Sequence, residues 1–117
     1  MIMFSELDRE IEYLAIRIQD IKKEIKELKR EIKDLEERLD DLRIQRKMTH
    51  DAVNNKKKPE VNLEEITHKG RQIKTQLFDK QQEKDQTLKL LYQLQQDYHD
   101  KLHAKNCLLA EKIKQES

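Results

Sequence analysis

His99, His103 and Cys107 follow one another at steps of four residues, which on a helix sets two imidazoles and a thiol along one side. Donors of this kind hold zinc when three or four converge, and Asp100 lies beside them. The spacing suits that task poorly. Steps of four drift around a helix of about 3.6 residues per turn, so the third donor is aimed aside. There is no second Cys/His pair in the chain. Counted from Leu91, Tyr98 and Leu102, the three donors fall on the flank and outer surface of their helix. The expectation is therefore solvated polar residues, with no metal and no cofactor.

Other reactive groups give the same answer. His50 and His68 flank a break in the helical pattern and would approach one another at its apex, where protonation below about pH 6.5 would loosen that end. Exposed histidines with no shared role are the stronger expectation. Lys56-Lys57-Lys58 offers three cations to phosphate or an acidic surface, but no interleaved aromatics or further basic cluster accompany them, so a solvated turn is expected. Carboxylates alternate with Lys and Arg on polar faces, where solvent keeps their acidity ordinary and no cleft sets one against another. The chain has one Gly, hence no Gly-rich phosphate loop, and it carries no nucleophile motif. Enzymatic activity is not expected.

The elements that carry these residues follow from composition. Of 117 residues, 42% are Asp, Glu, Lys or Arg and 35% are hydrophobic, with one Pro and no Trp. Such a chain favours long helices over a globule with a broad core. With 25 basic and 24 acidic residues the net charge is +1, so no overall field draws it to nucleic acid or an anionic membrane. No run approaches the roughly 18 apolar residues of a membrane span. Met1-Ile2-Met3-Phe4 lacks the basic flank of a secretory signal. A lone cysteine points to a reducing compartment, cytoplasmic or nuclear.

From Leu7 to Leu42, Leu or Ile occupies every step of an unbroken alternation of four and three: Leu7, Ile11, Leu14, Ile18, Ile21, Ile25, Leu28, Ile32, Leu35, Leu39, Leu42. A 3.5-residue average stays on one side of a helix only if that helix winds around another, so the stripe reads as a coiled-coil seam. Its next members, Arg46, Thr49 and Val53, weaken it. Ser5 is the expected N-cap, and the Asn54–Asn62 stretch with Pro59 the expected break. Asn62 with Glu65 has the capping-box spacing, and Val61 with Ile66 that of a hydrophobic staple. The expected division is an N-terminal extension over 1–4, helix 1 over 5–53, a linker over 54–62, helix 2 over 63–114 and a tail over 115–117.

Helix 2 has a looser pattern, with Ile66, Gly70, Ile73, Leu77, Gln81, Lys84, Leu88, Leu91, Gln95, Tyr98, Leu102, Leu109 and Ile113. Two helices of similar length predict an antiparallel hairpin. If facing residue numbers add to about 116, Leu14 meets Leu102, Ile25 meets Leu91, Leu28 meets Leu88, Leu39 meets Leu77, and Arg46 fills the space over Gly70. The rival is a parallel homodimeric rod through helix 1. It would oppose Arg17 to Lys22, Glu31 to Glu36 and Arg38 to Arg43, leaving Glu24 with Lys29 as the attractive pair, so the hairpin is preferred.

The expected fold is thus all-α, a long antiparallel coiled-coil hairpin that associates into a four-helix or heteromeric bundle, because Gln81, Lys84 and Gln95 answer the stripe poorly. Expected seam and partner-binding residues are Leu14, Ile18, Ile21, Ile25, Leu28, Ile32, Leu35, Leu39 and Leu42 in helix 1. In helix 2 they are Ile73, Leu77, Leu88, Leu91, Leu94, Tyr98, Leu102 and Leu109. Expected partners are a second copy or a helical segment of another protein. The function expected is a non-enzymatic scaffold or adaptor in a cytoskeletal, centrosomal, ciliary or chromosome-associated complex. Alternatives are a rod-like spacer or tether, a membrane-tethering bundle component, and a weak nucleic-acid binder acting through the lysine loop.

Overall fold

Leu, Ile, Glu, Lys, Gln and Arg make up most of both halves of the chain, and all but Ile rank among the better helix formers. A computed structural model of the protein describes residues 2–54 and 62–116. The fold is an all-α hairpin of two helices, α1 (Ile2–Asn54) and α2 (Leu63–Glu116). Ser5 lies inside α1 and not at its cap, since the helix already begins at Ile2. Phe4 in that first stretch is half-buried, which gives the extra turn an apolar foothold. At the other end α2 runs two residues past Lys114. The Pro59 break, the Lys56-Lys57-Lys58 run and the Val61 half of the staple lie outside the described residues.

The start of α2 is capped by Asn62. Its Oδ1 accepts a hydrogen bond from the Glu64 amide at 3.0 Å, while its carbonyl accepts the first helical bond from the Ile66 amide at 3.1 Å. Glu64 and Glu65 place negative charge in the first turn, where the helix dipole favours it. The capping-box partners expected of Asn62 and Glu65 give way to others: Asn62 Oδ1 takes the Glu64 amide, and Glu65 Oε1 turns to Lys69 Nζ at 3.3 Å, one turn onward.

The hairpin divides into two units. One comprises residues 1–26 and 86–117. There Ile18, Ile21, Ile25 and Leu91 form a buried cluster, with Leu88, Leu90, Leu94 and Tyr98 packed against it. Ile21, 1% exposed, is its most enclosed member. The other comprises residues 27–85. In it Leu28, Ile32, Leu35, Leu39, Thr49 and Ile66 are buried, whereas Arg46 and Val53 on the weakening end of the stripe are exposed.

Candidate interaction surfaces

Within each unit the level of one helix against the other can be read from cross-helix ion pairs. In the first, Lys105 Nζ lies 2.6 Å from Asp8 and Lys101 Nζ 3.0 Å from Glu10. In the second, Lys80 Nζ lies 2.8 Å from Glu31. Partner numbers in these pairs add to 111 to 113, about one helical turn from the 116 that the apolar pattern suggests. Leu91 accordingly sits among Ile18, Ile21 and Ile25, not opposite Ile25 alone.

Lysine stems explain the shift. Counting Lys as polar makes Gln81, Leu88, Leu102 and Leu109 the natural continuation of the seam. Instead, half-buried or buried positions run through Leu63, Ile66, Gly70, Ile73, Leu77, Lys80 and Lys84, then Thr87, Leu91, Leu94, Tyr98, Lys101, Lys105 and Leu108. These steps alternate between three and four without a break. A lysine can lay its four-carbon stem along apolar surface and extend its ammonium to solvent or an acid, so Lys80, Lys101 and Lys105 hold half-buried positions while reaching Glu31, Glu10 and Asp8. Following the period rather than the residue type would have found these positions. Gln81 is exposed, and Leu109 is 40% exposed where Leu108 is half-buried. Leu88 and Leu102 are half-buried.

The seam residues expected in α1 from Leu14 to Leu39 are all buried in the single chain, and Leu42 is half-buried. Glu31 Oε2 is buried, and the Lys80 ammonium 2.8 Å away offsets its charge. That contact raises the Lys80 pKa, first through the hydrogen bond with Glu31, then through its charge. On the outer surface, Glu27 and Arg30 form an ion pair that lowers the Glu27 pKa, chiefly through the hydrogen bond from Arg30.

Of the three candidate metal donors, two come together: Cys107 Sγ is 3.6 Å from His103 Nε2, and both residues are exposed. His99 instead sets its ring edge-on to Tyr98, centroids 6.2 Å apart. No group of three His, Cys, Asp or Glu that could hold a metal occurs among the described residues. His50 Nδ1 contacts Asn54 Nδ2 on its own helix at 3.2 Å, and His68 is exposed.

Gly70 is not filled by Arg46. A Cβ placed on it would meet nothing within 4 Å. Both residues line an open crevice of about 340 Å³ over Leu39, Leu42 and Ile66, with Arg43, Arg71 and Lys74 around it. Arg43 is paired with Asp40 at 3.3 Å. Large apolar side chains also face outward. Ile44 and Met48, one turn apart, are exposed in the unit of residues 27–85, and Tyr13, Ile16, Tyr92 and Ile113 in the other. No helix among the described residues is long and apolar enough to cross a membrane.

No protein-family model matches the chain, and no curated protein or solved structure resembles it at a significant level.

Proposed function

We propose that the chain is a non-enzymatic coiled-coil scaffold or adaptor, whose hairpin presents outward-facing apolar and charged side chains to other helices. The observation that carries this reading is the division of labour between faces. The apolar stripe of α1 is closed by α2 of the same chain, while Ile44 and Met48 stay outside on a charged surface. A helical hairpin of this kind, with no metal-holding cluster among its described residues, accords with a structural role. With the stripe closed within one chain, this reading favours the hairpin over a parallel rod and assigns partner binding to the outside of the hairpin instead of the seam. The setting proposed is a cytoskeletal, centrosomal, ciliary or chromosome-associated assembly in a reducing compartment.

The test is recovery of bound proteins from cell extract with the full chain as bait. Ile44→Lys with Met48→Lys should remove bound helical partners while leaving far-UV helicity intact, and Ile21→Glu should abolish both. An unchanged set of bound proteins with both variants would overturn the reading.

A second reading has its own observation: Arg43, Arg46, Arg71 and Lys74 gather around one crevice, a place for an anionic ligand such as nucleic-acid phosphate. Binding of this kind falls steeply as salt rises. Titration with a single-stranded oligonucleotide at two salt concentrations tests it, and no binding at low salt would end it.

A further inference from the structure

From Leu88 to Ile113, α2 carries a second series with the same alternation of four and three, displaced by one residue from the seam. Leu88, Tyr92, Leu102, Leu109 and Ile113 are its apolar members. One residue is ~100° of helix rotation, so this face stands at about a right angle to the face packed on α1. Neighbouring contacts at a corner of a four-helix bundle are set this way. Tyr92 and Ile113 are 67% and 66% exposed, although Leu88 at the near end also touches the buried cluster.

We infer that this face binds the same face of a second copy of the chain, antiparallel, about a two-fold axis between the levels of Asp100 and Lys101. The inference rests on the assembly reading above and adds its face, occupant and register. In a two-fold contact residue i meets j and j meets i, so the face must match its own reverse. It does. Leu88 falls opposite Ile113, Tyr92 opposite Leu109 and Gln95 opposite Asn106, pairing apolar with apolar and amide with amide. His99 opposite Leu102, next to the axis, is the one mixed layer. Each pair also joins the two alternate positions of the repeat, as antiparallel helices require.

Sliding by seven residues destroys the match. One direction sets Gln95 against Ile113, and the other sets Leu88 against Asn106, and either slide leaves fewer layers in contact. The flank agrees: Lys89 comes opposite Ala110 and Gln96 opposite His103, so no like-charged side chains of Lys, Arg, Asp or Glu are opposed there. A foreign helix would impose no such self-complementarity on the sequence.

Sedimentation of the full chain across the micromolar range tests the proposal, with circular dichroism as the check on folding. The wild type should show twice the mass of one chain. Tyr92→Lys and Leu109→Glu should each weaken self-association at least tenfold with helicity unchanged. The double variant should recover most of the loss, because its opposite charges meet across the axis in this register alone. Should Tyr92→Lys reduce helicity, Ile113→Lys at an equally exposed position takes its place, with Leu88 as the residue it faces. A monomeric wild type, a dimer indifferent to both single changes, or a double variant without rescue would each overturn the proposal. A monomer that still captures helical partners through Ile44 and Met48 sinks this inference and leaves the assembly reading standing. A dimer that captures none does the reverse.

Discussion

Lys80 joins an apolar stem to a charged head, and the two ends serve different purposes. Its stem occupies a seam position of α2, while its ammonium meets the half-buried Glu31 carboxylate at 2.8 Å. The hydrogen bond with Glu31, reinforced by its charge, holds the Lys80 pKa above the ordinary 10.5. A proton held more tightly in the folded state contributes stability that is fully present below the unfolded pKa and lost as pH rises through the raised folded value. Glu31→Gln should therefore lower the urea midpoint between neutrality and about pH 10, and its gap from the parent should close in stronger alkali as Lys80 loses its charge. A gap that persists unchanged after Lys80 has lost its proton would show that charge pairing contributes nothing there. The Glu27–Arg30 pair has the opposite sign. The hydrogen bond from Arg30 depresses the Glu27 pKa, so its contribution is present above 4.5 and fades as pH falls through the lowered value. Both side chains are exposed, and the effect should be small.

The two helices were readable from sequence because eleven aliphatic residues keep one period in α1 and because Asn62 announces the start of α2. The level at which they meet was not. Three lysines absent from the expected pattern, Lys80, Lys101 and Lys105, occupy α2 seam positions, and a residue with an apolar stem under a charged head counts as polar in a pattern of types, which displaced the expected pairing by about one turn. The same miscount made α2 look too polar to close the stripe, although every α1 residue from Leu14 to Leu39 in that stripe is buried. Local signals inside α2 now make separate predictions. Asn62→Ala removes the bond to the Glu64 amide and should cost about 1 kcal/mol by urea unfolding, while Asn62→Ser should largely preserve stability. Gly70→Ala should do the reverse, adding about 1 kcal/mol, because the helix interior gains a better former and the new methyl meets open space. A loss of stability in that variant would mean that the crevice beside Gly70 closes in solution.

For the molecule as a whole, charge and apolar burial make different demands on solvent. The chain is almost neutral, with 25 basic and 24 acidic residues, and its cross-helix ion pairs sit on partly exposed side chains. Such pairs contribute little in solvent, and 1 M salt shortens the screening length from about 10 Å to about 3 Å. Seam burial is indifferent to that screening, and so is an interface built from Tyr92, Leu109, Leu88 and Ile113. Raising salt from 0.1 to 1 M should therefore lower the melting temperature by only a few degrees while leaving the sedimenting mass unchanged. Phosphate binding at the crevice of Arg46, Arg71 and Lys74, if the second reading holds, should be lost over the same range. The melting temperature should also rise with protein concentration, since association that favours the folded state stabilises it by mass action. In Tyr92→Lys that concentration dependence should vanish while the helical signal remains. If the wild type melts at one temperature across a hundredfold range of concentration, or separates into single chains in 1 M salt, apolar self-pairing of α2 is not what holds copies together.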